Sequence, residues 1–129
     1  MTTELSMLAW SAVLGLVHIV LASTCARRKR GRTGAVSSRD ESRPPLSGIG
    51  GRLDRARANF LETFPLFAAA VLVAHVLQIH SSLTVLGAEL YFWGRLAYIP
   101  AYAVGIPWLR SLIWGVAVAG IVLVLVGLY

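Results

Sequence analysis

"RLDRARANFLETFP" (residues 52–65) is the stretch on which the fold turns. It holds three arginines, two acids and an asparagine, and it runs directly into "LFAAAVLVAHVL" (66–77), which has no charge. Arg52, Arg55, Asn59 and Glu62 fall at spacings of 3, 4 and 3, which puts all four on one face of a helix. Such a stripe at the start of an apolar helix has to point at something. Charged groups within a bilayer are expensive and face a bundle interior or a wet cavity.

The rest of the chain supports a membrane setting. Of 129 residues, 57% are hydrophobic and 14% charged, against roughly 45–50% and 25% in soluble domains. Residues 5–26 carry no charge, 64–80 follow Glu62, 83–105 hold two charges, and 111–129 hold none. A spanning helix needs about 20 mostly apolar residues. The expectation is therefore an all-α, integral membrane four-helix bundle in a single domain (1–129), with helices at about 5–26, 53–79, 82–104 and 108–128.

Residues 5–26 do not read as a signal peptide, because Glu4 precedes them and "RRKRGR" follows, the reverse of the usual charge order. "LASTC" around Cys25 is too faint for a lipidation signal with that flank. Ten of the 12 basic residues lie between Arg27 and Arg57, against Asp40, Glu41 and Asp54, a net of +7. The positive-inside rule places the Arg-, Ser-, Gly- and Pro-rich loop 27–51 in the cytoplasm, and both termini on the opposite side. The same charge favours anionic lipid. No nucleic-acid reading motif accompanies it, so no nucleic-acid partner is expected. "SGIGG" (47–51) has the wrong spacing and no preceding strand for a dinucleotide fingerprint.

Depth suggests a partner for the stripe. Glu62 lies nine residues into helix 2, roughly 14 Å at 1.5 Å per residue, and Arg95 lies equally deep in helix 3. A structural ion pair between Glu62 and Arg95, within a subunit or across an interface, is expected. Arg95, Tyr98 and Tyr102 share a face of helix 3, and Pro100 should bend that helix. Arg110 begins helix 4 on the same side. Taken singly, these arginines read as interfacial anchors and the tyrosines as an aromatic belt. Asn59 and Glu62 are not anchor residues. Glu89 falls on a different face from Arg95. His18, His75, His80 and Cys25 lack ligand spacing and read as structural, so no metal site is expected.

The pattern R-x-x-R-A-x-x-N-x-x-E-x-x-P of residues 52–65 resembles the signature of the MAPEG family, membrane-associated proteins of eicosanoid and glutathione metabolism. "PPL" (44–46), "FPLF" (64–67) and Arg95, Tyr98 and Tyr102 are similar to the branch that contains leukotriene synthase and microsomal glutathione transferases. The likeness covers residues 44–111 by motif and the rest by topology. It implies a homotrimer with glutathione as co-substrate between subunits. Arg52, Arg55, Asn59, Glu62, Tyr98 and Tyr102 would be glutathione-binding, and Arg110 the catalytic residue that stabilises the thiolate. Arginine forks suit the carboxylates of glutathione. A guanidinium also lowers a thiol pKa that is otherwise about 8.5.

The reading that follows is a glutathione transferase or peroxidase acting on a lipophilic second substrate from the bilayer, in a bacterial inner membrane. The alternative is a non-catalytic lipid-binding relative. A small drug/proton antiporter fits poorly, since helix 1 lacks an acid beyond Glu4. The short 3–4 turn leaves open whether Arg110 or its neighbour Ser111 occupies the family position. Arg27, Arg28 and Arg30 are equal candidates for a further glutathione contact from the end of helix 1.

Overall fold

The computed structural model describes the backbone of residues 1–36 and 48–129, and the side chains of 1–28 and 48–129. The connection 37–47, with "PPL" and most of the expected basic loop, lies outside the described residues, as does the side chain of Arg30. Four helices make up the described chain: α1 (Thr3–Val36), α2 (Gly48–Val76), α3 (Ser82–Val104) and α4 (Pro107–Val126). α2 and α3 form the centre and each touches every other helix, whereas α1 and α4 flank them without meeting.

The end of α1 departs from expectation. The helix continues to Val36 where a loop from Arg27 was expected, and α2 begins at Gly48, before Leu53. Arginine and lysine are good helix formers, so the basic run that ends the apolar span prolongs the helix instead of stopping it. At the other end of α2, Gln78 takes a left-handed conformation with φ 58°, and the chain turns there into α3.

α1, α2 and α4 are long and apolar enough to cross a membrane. α3 carries Glu89 and Arg95 within its 23 residues and is the helix most enclosed by the others. Large apolar side chains such as Trp10, Leu16, Leu66, Leu72, Trp93 and Leu112 are exposed around the bundle, the surface a lipid solvent calls for. α3 remains helical through Pro100, whose ring faces outward.

Packing between membrane helices depends on close fit, because lipid removes the hydrophobic drive for their association. α3 and α4 achieve that fit with small residues. A Cβ on Gly87 would stand 2.5 Å from the carbonyl oxygen of Gly120, and one on Gly120 would stand 2.5 Å from that of Gly87. Beside this contact Phe67 stacks on Tyr91 at 4.0 Å between ring centroids, in a core completed by Val71, Ala88, Ala117, Ile121 and Val124. The Tyr91 and Thr63 hydroxyls bond at 3.0 Å, so the tyrosine carries no unpaired oxygen into that core.

The two ends of the bundle are capped differently. At one end Ser81 and Thr84 form a reciprocal capping box on α3. The Thr84 hydroxyl donates to Glu4 at 2.6 Å, and His80 Nδ1 lies 3.3 Å from the same carboxylate oxygen. At the other end α3 closes on Gly105 in the left-handed region (φ 84°), and Pro107 opens α4 one residue beyond Ile106. That turn is as tight as the "GIPW" sequence implies.

Candidate functional site

The end of the bundle that holds the end of α3 and the start of α2 and α4 contains an open hollow of about 290 Å3. Its wall is made by Arg55 and Asn59 of α2, Tyr98 and Tyr102 of α3, and Arg110, Ser111 and Trp114 of α4. Helical spacing explains each group. Arg55 and Asn59 are four residues apart, as are Tyr98 and Tyr102, and Arg110 and Trp114, so each pair shares one face. The closeness of α3 and α4 then carries Arg110 to Tyr102.

Arg55 Nε donates to the Tyr102 hydroxyl at 3.2 Å. The Arg110 guanidinium carbon sits 5.1 Å from the centroid of the Tyr102 ring. Tyr98 and Tyr102 lie 5.4 Å apart between centroids. They are only 3% and 9% exposed, so neither belongs to a lipid-facing aromatic belt. The hollow thus has two guanidinium groups, an amide, two phenols, a serine hydroxyl and an indole N–H. It has no carboxylate. Such a wall accepts an anion, and its hydroxyls leave little to bind a cation.

Two of the expected site residues stand apart from this wall. Arg52 Nη1 donates to the carbonyl of Ala103 at 3.1 Å, and its guanidinium lies under Gly105. It serves the last turn of α3, where carbonyls are left unbonded by the helix. Glu62 is exposed on the outer surface of α2.

The expected ion pair between Glu62 and Arg95 is therefore absent. Arg95 Nη1 donates instead to Asn59 Oδ1 at 2.8 Å. Within the single chain Arg95 is 0% exposed. Depth counted from the apolar edges misses the level as well as the rotation: the Asn59–Arg95 and Thr63–Tyr91 bonds set Arg95 opposite Asn59, about one turn from Glu62. Asn59, one turn nearer the helix start, is the stripe residue that faces Arg95. Arg57, one position off the stripe, pairs with Asp54 at 2.8 Å on the surface.

Trp114 is the wall residue that motif reading did not name, and Ser111, the alternative to Arg110 for the family position, lines the wall beside it. For Trp114 a signal existed, its position one turn after Arg110. A second hollow, of about 270 Å3, opens nearby and is apolar, lined by Ala97, Pro100, Val104, Ile106, Leu109 and Ile113 among others. Elsewhere His18 stacks on Phe60 at 4.9 Å in the interior, His75 and His80 lie 6.1 Å apart at the opposite end, and Cys25 is half-buried. Among the described residues no group of three or more His, Cys, Asp or Glu side chains could hold a metal ion.

Residues 7–129 match the MAPEG family. No curated protein matches the chain. The match spans nearly the whole sequence, and the chain belongs to the MAPEG family: it is a membrane protein of a family tied to eicosanoid and glutathione metabolism.

Proposed function

We propose that this MAPEG protein is a glutathione transferase or glutathione peroxidase, which activates glutathione as a thiolate for attack on a lipophilic electrophile or hydroperoxide. One observation carries the reading: Arg55, Asn59, Tyr98, Tyr102 and Arg110, drawn from three helices, line a single open hollow that lacks any acid. Glutathione brings two carboxylates and, once ionised, a thiolate. Arg55 and Asn59 are placed to bind carboxylate, and Arg110, at the start of α4, to hold the sulfur. A fixed guanidinium there lowers the thiol pKa and stabilises the anion that attacks.

The second substrate comes from the bilayer, and the apolar hollow on the outer side of α3 and α4 suits such a molecule. Glu62 supports assembly as a homotrimer, the form that family resemblance implies. An exposed carboxylate midway along a membrane helix is costly against lipid, and a neighbouring subunit would cover it. Glu62 would then reach glutathione bound at the interface and take its ammonium, the group for which the hollow has no carboxylate. Arg52 stays a backbone anchor near that site. The chain sits in a bacterial inner membrane with the basic connection and the hollow at the cytoplasmic face, where anionic lipid and soluble glutathione meet them.

The test is a glutathione titration of the detergent-purified protein, following ultraviolet thiolate absorbance, with Arg110→Ala alongside. A saturable thiolate signal that the substitution removes is expected. Absence of that signal from an intact wild-type assembly overturns the transferase reading and leaves a lipid-binding relative.

A further inference from the structure

Arg95 is the largest fully buried side chain among the described residues, and a guanidinium keeps its positive charge in proteins. Of its donors, Nη1 bonds Asn59, while Nε and Nη2 are buried with no acceptor. No carboxylate among the described residues pairs with it. Its charge meets the face of Tyr98 at 4.3 Å and of Phe60 at 5.4 Å. Ring faces offset part of the cost of burying a cation, and a buried charge without a counter-ion is otherwise strongly destabilising. An apolar side chain would pack there at less cost. The molecule therefore carries a charge that its own fold does not need.

That charge has a use at the hollow. A guanidinium can only donate, so the Asn59 atom facing it must be the carbonyl oxygen. The Asn59 NH2 group is then left as the polar end of that side chain available to the hollow. Tyr98, another wall residue, lies directly against the same guanidinium. Arg95 thus touches two residues of the wall without lining it.

We infer that Arg95 is a positioning residue of the hollow: it holds Asn59 with its NH2 toward the ligand, and it sets behind the wall a positive charge whose counter-charge is the carboxylate or thiolate of the bound ligand. The role rests on reading the hollow as a site for an anionic thiol, but its effect on the empty protein does not. Bound anion and buried cation stabilise each other across Asn59 and Tyr98. The empty protein keeps the uncompensated charge at the expense of its stability, so binding and folding are linked.

The experiment compares the wild type, Arg95→Met, Arg95→Lys and Asn59→Asp, each as the full chain in detergent. Unfolding temperature is read alone, with sulfate as a thiol-free anion, and with glutathione, and glutathione affinity is measured by calorimetry. Arg95→Met removes the charge, and Asn59→Asp supplies its counter-ion within the chain. Both are expected to unfold at a higher temperature than the wild type when empty. Both should bind glutathione at least about tenfold more weakly, and both should gain less from sulfate. Arg95→Lys, which keeps the charge and loses the planar fork, should recover part of the anion response without the gain in stability.

A role in packing alone gives the opposite pattern, and so a lower unfolding temperature for Asn59→Asp with an unchanged anion response overturns the inference. Should Arg95→Met fail to fold, Asn59→Asp decides, since it leaves Arg95 in place. If the wild type ignores glutathione yet gains from sulfate more than both variants, the glutathione reading fails and the role of Arg95 stands. If all variants respond alike to sulfate, the role of Arg95 fails.

Discussion

The two ends of this bundle each gather polar side chains, and they treat them in opposite ways. At the Glu4 end, the Thr84 hydroxyl and His80 meet one buried carboxylate, and the Ser81 side chain in turn caps Thr84. At the Arg110 end, guanidinium, amide and phenol groups line an open hollow, backed by an arginine with two unbonded nitrogens. A cluster that satisfies itself stabilises a fold. One left short of acceptors in a low-dielectric setting is a place for a ligand, because the missing acceptors have to come from outside the chain.

Substitutions at the two ends should therefore separate stability from chemistry. The largest effect is expected from Arg110→Ala, which should lower turnover of a lipophilic electrophile with glutathione by about a hundredfold or more while leaving the unfolding temperature nearly unchanged. A large loss of stability would show that the two ends do not differ as argued. Thr84→Val reverses the pattern. It removes the Thr84 half of the α3 capping box and the shorter hydrogen bond to Glu4, and should cost about 1–3 kcal/mol of stability, with glutathione affinity unaltered in the fraction that remains folded.

Tyr102→Phe sharpens the comparison at the hollow itself. It deletes the acceptor for Arg55 Nε, and a hydrogen bond of about 0.5–1.5 kcal/mol corresponds to affinity weakened by roughly 2- to 10-fold, measured by calorimetry. The smallest effect belongs to Arg57→Ala. Its pair with Asp54 is exposed, so stability should change by less than about 0.5 kcal/mol and binding not at all. A marked loss of binding there would extend the site beyond the wall described above.

The helical stripes were legible because a 3-4 spacing fixes a face whatever the surroundings. Arg55 and Asn59 on α2, and Tyr98 and Tyr102 on α3, stand on one wall for that reason. Glu62 belongs to the same stripe and still points outward, because a stripe three turns long wraps partly around its helix and only its middle can face one neighbour. The cap at Glu4 was not legible, since it joins residues 80 positions apart in sequence through side chains that read separately as a helix edge, a loop histidine and a threonine. The continuation of α1 through Arg28 was missed for a different reason. A boundary drawn where apolar residues stop describes where lipid ends, and a helix can continue into water.

By itself the sequence determined that this chain is helical, lives in a membrane and carries a family-specific polar stripe, because periodicity, apolar length and motif are local properties of the chain. Only the tertiary structure decided which stripe residues meet. The rotation of α2 against α3 gave Asn59, not Glu62, to Arg95, and the close packing of Gly87 on Gly120 helps bring Arg110 and Trp114 to the tyrosines. Rotation and approach are set by how neighbouring side chains fit. That fit is a property of pairs of helices, and no single stretch of sequence contains it.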